Sequence, residues 1–252
     1  MLFGIRLPLN FDSPYKARSI IEFWQRWHIT LSRFLRDYLY IPLGGNRKGQ
    51  VRRYLNLVIT MLLGGLWHGA EWTFVLWGGL HGLYLVVNHG WRRIKELSGI
   101  VLGHVIFNTA SVLLTFFAVV VAWVFFRAED FSAAILMLKS MSGYGGVVWP
   151  ADARGQLGIF ADTLSSMGLE FGYPDQFNGL ANVVGMLVIL LFVFIAPNVQ
   201  QLMNRYKVAI NPPSASTLAW APDLRWGLLI GFMALLSILR LGHVSEFLYF
   251  QF

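Results

Sequence analysis

The chain has 252 residues and not one cysteine. A disulfide framework, a thiolate metal site and a covalent acyl-cysteine intermediate are therefore excluded. Charged residues are also scarce, at 13% of the sequence, and the 13 acidic residues are outnumbered by 20 lysines and arginines. In so apolar a chain, scattered basic residues are better explained by cytoplasmic loops than by nucleic-acid binding, so no nucleic-acid partner is expected.

What the chain has in excess is apolar sequence. It is 56% hydrophobic and its mean hydropathy is +0.55, and several runs exceed the roughly 18 apolar residues that indicate a transmembrane helix. We therefore predict an all-α fold, a polytopic membrane helical bundle that lies in the lipid bilayer as a single domain of residues 1–252. The predicted spans are residues 54–67, 72–88, 105–126, 180–196 and 224–241, with a short helix at 131–141 in an outer loop.

Residues 14–41 are predicted to form one long amphipathic helix near the N-terminus. Its apolar residues recur at alternating spacings of three and four, whereas most of its charged residues fall on the opposite side. Ser13 followed by Pro14 suits the start of a helix, and Pro42 with Gly44 suits its end. A basic, tryptophan-rich helix of this kind usually lies in the membrane interface.

The most informative position is His68, a histidine within the glycine-flanked apolar stretch 62–72. An ionisable side chain at membrane depth is costly and is interpreted as functional by default. Residues 54–67 would rise only about 21 Å as a helix, which is less than the hydrocarbon core of about 30 Å. We therefore expect the turn that carries His68 and Glu71 to lie inside the membrane.

The local sequence leaves two interpretations of His68 open. A neutral imidazole can take the proton from a hydroxyl group as that oxygen attacks a carbonyl, which makes His68 a candidate general base. Alternatively, the ring packs and hydrogen-bonds to a neighbouring helix. His28, on the apolar side of the amphipathic helix, is interpreted first as a packing residue, because an interfacial helix tolerates histidine easily.

Other polar residues support weaker hypotheses. Arg33 and Arg36 could attract an anionic, phosphate-bearing donor, or they could anchor to anionic lipid headgroups. Glu71 could orient His68, carry a proton or equally face water, and His81 is expected to pack or to support the residues of the site. No two histidines have the spacing of a local metal pair, so no metal site is predicted.

Several motifs resemble those of the membrane-bound O-acyltransferase (MBOAT) family, and most closely its bacterial branch that includes the alginate O-acetyltransferase membrane subunit. Two long and specific matches carry the resemblance, one around His28 and one around His68. A third match is supportive only. The matching residues are 7–15 and 23–46, then 64–70 with 77–78 and 81–82, and finally 123–128 and 246–252.

The resemblance implies a multi-helix membrane protein with a central tunnel, where a cytoplasmic acyl thioester meets an acceptor hydroxyl from the other side. It implies that His68 is the catalytic histidine and that His28 is the second polar active-site residue. It also implies acetyl-CoA as the donor, with no tightly bound cofactor, and a polysaccharide acceptor such as alginate. Periplasmic polysaccharide-acetylation proteins are the expected partners, and the bacterial cytoplasmic (inner) membrane, crossed several times, is the expected location.

Members of this family are usually far longer, so the chain is expected to be the C-terminal part of a longer protein. The expected function is an O-acetyltransferase for exopolysaccharide, with His68 as general base and His28 orienting the acceptor or polarising the thioester carbonyl. Two alternatives remain open. One is transfer of an acyl group to peptidoglycan, or of D-alanine to teichoic acid, by the same fold; the other is a non-catalytic membrane scaffold.

Overall fold

The computed structural model describes residues 7–98, 104–172, 179–206, 210 and 218–240. They belong to two compact units, one of residues 9–196 and the other of residues 1–8 together with 197–252. The first unit contains both motif histidines. That the chain forms a single domain stays a prediction.

Helices dominate the first unit. The short helices α1 (Ile20–Arg26) and α2 (Ile29–Leu35) precede a long hairpin of α3 (Gly49–His68) and α4 (Trp72–Ser98), which is followed by α5 (His104–Arg127) and α6 (Phe131–Met141). Next, β1 (Val147–Pro150) pairs in parallel with β2 (Leu169–Gly172); α7 (Asp152–Leu157) and α8 (Ile159–Ser166) connect them, and α9 (Leu180–Ile195) follows. The part of the chain that the structure describes is thus predominantly helical, as predicted, with two four-residue strands.

The second unit contains α10 (Val199–Leu202) and α11 (Leu224–Arg240), with a 3-10 turn at Asn204–Tyr206. Asn198 and Gln201 form a reciprocal capping box at the start of α10. The motif at residues 246–252 lies outside the described residues.

One described helical stretch, Phe107–Arg127, is long and apolar enough to cross a membrane by length and composition. It coincides with the span predicted at residues 105–126. The apolar helices α9 and α11 coincide with the spans predicted at 180–196 and 224–241; α9 has 16 residues, and 17 residues of α11 are within the part of the chain that the structure describes. The helix predicted at 131–141 is confirmed as α6.

The prediction of one continuous amphipathic helix over residues 14–41 is wrong. Trp27 has an extended backbone and His28 a left-handed one, with a φ of 41°, so the helix is interrupted between α1 and α2. The main chain of residues 10–12 supplies the hydrogen bonds that a continuous helix would have made there, with Ile29 N donating to Asn10 O at 2.9 Å. After α2 the chain continues as a π-helical turn, Arg36–Tyr40.

The helix that ends at His68 is longer than predicted. Helix α3 begins at Gly49 and not at residue 54, because the segment 49–53, which carries Arg52 and Arg53, is helical too. Its 20 residues rise about 30 Å, but the apolar part that follows Arg53 is as short as predicted, so the location of the His68 turn inside the membrane stays a prediction.

The core of the first unit lies where α1, α3, α4 and α5 meet. Its most buried large side chains include Phe23 of α1, Trp77 and His81 of α4 and Val119 of α5. Trp77 of this core also packs against the ring of His68, the last residue of α3.

Candidate active site

Direct contact between two helix backbones positions the turn between α3 and α4. A Cβ atom added to Gly65 would lie 2.3 Å from the carbonyl oxygen of Phe74, and one added to Gly78 would lie 2.3 Å from that of Met61. Only glycine allows so close an approach. His68 is the last residue of α3, so its position at the end of the hairpin is set by this contact.

Aromatic rings surround the imidazole of His68. The distances between ring centroids are 4.9 Å to Trp67, 5.2 Å to Trp77, 5.0 Å to Phe126 and 6.3 Å to Phe74, and the first three contacts are edge-on. The side chain is half-buried, and its ring makes no hydrogen bond with any other described residue. A ring held in this way can offer a nitrogen to a substrate hydroxyl, which is what a general base must do.

Glu71, on the same turn as His68, makes no contact that would orient the His68 ring. The residue is exposed at the turn, and within the described residues its carboxylate forms no ion pair with His68. Its backbone carbonyl accepts hydrogen bonds from the amides of Phe74 and Val75 at 3.1 and 3.3 Å, which start α4. The exposed carboxylate thus faces water and does not orient His68.

His28 lies at the break between α1 and α2. Its side chain caps α2, because Nδ1 accepts a hydrogen bond from the Leu31 amide at 3.3 Å. An imidazole whose Nδ1 accepts a hydrogen bond carries its proton on Nε2. The tautomer that fits this geometry therefore leaves Nε2–H to donate to a substrate oxygen.

Residues 10–12 hold this corner in place. The side-chain oxygen of Asn10 accepts from the amide and the hydroxyl of Thr30, at 3.1 and 2.9 Å. Asp12 N donates to Arg26 O at 2.9 Å. A left-handed conformation costs a residue such as His28 about 1–3 kcal/mol, and these contacts from a separate segment offset that cost.

A series of packed aromatic rings connects the two predicted site histidines. Trp27, which precedes His28, packs on Trp123 at 5.2 Å, and Trp123 packs on Phe126 at 5.0 Å. Phe126 in turn contacts His68. The fold therefore brings the two histidines, which are far apart in the sequence, to one aromatic cluster.

Arg33 and Arg36 line a cavity of about 600 Å³. Sequence reasoning missed two further lining residues, Arg53 of α3 and His89 of α4, whose side chains meet at 3.0 Å across the hairpin. Arg36 is paired with Asp37 at 2.7 Å, whereas Arg33 and Arg53 have no carboxylate partner among the described residues. Only the register of the hairpin reveals that Arg53 and His89 are neighbours.

The rest of this cavity is largely apolar, with Trp24, Leu57, Met61 and Leu85 among its lining residues. Guanidinium groups match phosphate oxygens in charge and geometry. The cavity therefore suits a molecule that carries both phosphate and apolar groups. Among all residues that the structure describes, no cluster of three or more metal-binding side chains is found.

The chain is similar to known proteins over much of its length. The family model for MBOAT, the membrane-bound O-acyltransferase family, matches residues 1–127, which include His28 and His68. Over 147 residues the chain is 48% identical to the peptidoglycan O-acetyltransferase of Helicobacter pylori, covering 58% of this chain and 27% of that protein.

Over 258 residues the chain is 38% identical to the probable alginate O-acetylase AlgI of Pseudomonas putida, covering 100% of this chain and 48% of that protein. The teichoic acid D-alanyltransferase of Streptococcus thermophilus is 38% identical over 102 residues, which cover 38% of this chain and 25% of that protein. The chain thus spans about half the length, or less, of the curated relatives that it matches.

Proposed function

This chain belongs to the membrane-bound O-acyltransferase family, and from that premise we propose that the protein is an O-acetyltransferase of the bacterial inner membrane. It crosses that membrane several times and moves an acetyl group from cytoplasmic acetyl-CoA towards an extracytoplasmic polysaccharide such as alginate. Periplasmic acetylation proteins are its partners. The observation that carries this proposal is the imidazole of His68, half-buried among aromatic rings and not hydrogen-bonded to any described residue.

In the proposed reaction His68 accepts the proton of the acceptor hydroxyl while the hydroxyl oxygen forms a bond to the thioester carbonyl carbon. The carbon–sulfur bond then breaks, and the proton passes from His68 to the departing sulfur. The products are the acetyl ester and the free thiol of CoA, and the imidazole returns to its neutral form.

His28 supplies the complementary hydrogen bond. Its Nε2–H would donate to the carbonyl oxygen of the thioester, on which negative charge grows as the bond to the acceptor forms. The capping bond from Leu31 to Nδ1 supports this assignment, because it fixes which nitrogen carries the proton. Polarising the carbonyl is thus the role that the geometry favours for His28.

The cavity beside α2 is the proposed donor site. Arg33 and Arg36, together with Arg53, would hold the phosphates of acetyl-CoA, while its apolar lining would take the less polar part of the donor. Anchoring of these arginines to lipid phosphates is the alternative, and donor kinetics distinguish the two.

The central test is His68→Ala in the full-length enzyme, with Glu71→Gln as the matched control on the same turn. Removing a general base should lower polymer acetylation about 10²- to 10⁴-fold, whereas the control should retain it. Ester-linked acetate on the polysaccharide is measured in cells with equal amounts of each variant in the membrane. Undiminished acetylation by a stably expressed His68→Ala protein would refute the assignment.

Two relatives favour other acceptors, since one is named a peptidoglycan O-acetyltransferase and another a teichoic acid D-alanyltransferase. The same cells decide between these acceptors. Ester-linked acetate that depends on His68 and is found on purified peptidoglycan would indicate the first, and ester-linked D-alanine on teichoic acid the second. A non-catalytic scaffold predicts that His68 and His28 can both be replaced without any change in product.

A further inference from the structure

His81 of α4 has no role in the proposed reaction, yet its surroundings are unusual. The residue is 0% exposed, and neither ring nitrogen has a hydrogen-bond partner within the described part of the chain. An unpaired buried polar group is costly, and each one in a folded protein calls for an explanation. A phenylalanine side chain would fill similar space without that cost.

Four aromatic rings enclose the His81 ring. Trp77 packs against it edge-on at 4.8 Å, Trp24 at 5.2 Å and Tyr84 at 5.8 Å. Phe23 lies almost parallel to it at 5.9 Å, with 12° between the two ring planes. The imidazole is therefore surrounded by π faces and edges rather than by polar groups.

Two of these rings extend to the corners that carry the site histidines. Trp77 contacts the His68 ring edge-on at 5.2 Å, with 88° between the planes. Phe23 stacks on Trp27 at 5.8 Å with 11° between the planes, and Trp27 is followed directly by His28. The buried imidazole thus contacts two rings, of which Trp77 touches His68 and Phe23 touches the neighbour of His28.

We propose that His81 is a positioning residue, whose imidazole fixes the Trp77 indole and, through it, the orientation of the His68 ring during proton transfer. A neutral imidazole keeps one N–H, and an N–H directed at an aromatic face is a weak but directional contact. A phenyl ring in the same place has no such donor and leaves the indole freer to tilt. The inference rests on the proposed function, because it assigns His68 the proton transfer.

Small errors of orientation are sufficient to matter for catalysis. A displacement of about 1 Å at a reacting group can cost about 100-fold in rate. The loss of one directional contact in a packed cluster allows a smaller shift, and we expect a loss of about tenfold in turnover. Binding of either substrate does not involve His81, so the expected effect is on kcat and not on KM.

The experiment compares His81→Phe with Thr73→Val in the purified full-length enzyme. Thr73 is a second buried residue of α4 whose side-chain oxygen has no partner among the described residues. Both substitutions therefore remove an unpaired polar group from the same helix. The melting temperature, kcat and the KM values for acetyl-CoA and acceptor are measured for each.

The expected result is that both variants melt at or above the wild-type temperature, while only His81→Phe loses about tenfold in kcat at unchanged KM. A folded His81→Phe protein with wild-type kcat would overturn the inference. So would its failure to fold, because the inference assigns no stabilising role to the polarity of the ring. An equal loss of kcat in Thr73→Val would also overturn it.

The same assay separates this inference from the proposed function when His68→Ala is included. Activity that survives His68→Ala refutes the proposed function itself. Activity that is lost in His68→Ala but normal in His81→Phe refutes only the positioning role.

Discussion

Gly78→Ala is expected to destabilise the α3–α4 hairpin although alanine is the better helix former. The new Cβ atom would lie 2.3 Å from the carbonyl oxygen of Met61, where ordinary contact begins at 3.4 Å, so the helices must separate by about 1 Å. Overpacking costs about 1–3 kcal/mol, and a backbone obstacle that cannot rotate away puts the cost near the upper value. The better helix propensity of alanine returns about 0.5–1 kcal/mol, which leaves a net loss of about 2 kcal/mol.

Gly90→Ala on the same helix is the matched control, because a Cβ atom there would meet nothing within 4 Å. This control should gain about 0.5–1 kcal/mol from helix propensity alone. Denaturant unfolding of the full-length protein in detergent, followed by tryptophan fluorescence, measures both variants. Unfolding free energies that agree within about 0.5 kcal/mol would refute the conclusion that the two backbones touch at Gly78.

Three further predictions concern α1 and α2. His28→Asn should keep the free energy of unfolding within about 0.5 kcal/mol, because asparagine caps helices and tolerates a left-handed backbone. His28→Ala should lower it by about 1–2 kcal/mol. Identical melting temperatures of the two variants would contradict the capping role. Arg33→Gln should raise the KM for acetyl-CoA about tenfold at unchanged kcat, while Arg154→Gln on α7 changes neither, and steady-state kinetics that show an unchanged KM would argue against the donor cavity. Burial raises the pKa of Glu22, but the hydrogen bonds and charges of two neighbouring arginines outweigh burial and lower the pKa below its ordinary value of 4.5. The ionised carboxylate therefore stabilises the fold fully above pH 4.5, and this stabilisation is lost as the pH falls through the lowered pKa. Glu22→Gln should accordingly lose less melting temperature than the wild type between about pH 5 and pH 3, and an equal or larger loss would count against this ion pair.

Those parts of the fold that depend on local composition could be predicted from the sequence. The apolar run 105–126 became α5, and the shorter run 131–141 became α6 with Asp130 as its capping residue. In each case the length and spacing of the apolar residues were sufficient, because a helix satisfies its own backbone hydrogen bonds.

The parts that depend on distant residues could not be predicted. The break at His28 exists because Asn10 and Asp12 provide backbone hydrogen bonds from another segment, and no periodic pattern within the helix records that contact. The pairing of Arg53 with His89 likewise depends on the register of the hairpin. His28 and His68 were found as site candidates from their motifs, but the aromatic contacts of Phe126 that connect them come from α5.

The contact of main chain with main chain in the hairpin also bears on how this family can diversify. Because Gly65 and Gly78 set the spacing of the helices, the position of His68 does not depend on outward-facing side chains such as Leu63 and Leu66, which are exposed. Those positions can drift and adapt the surface to new surroundings while the imidazole stays in place. Inserting one residue between Gly65 and His68, by contrast, would turn the imidazole by about 100° about the helix axis. Evolution is therefore freer to change the identity of residues on this hairpin than to change their number.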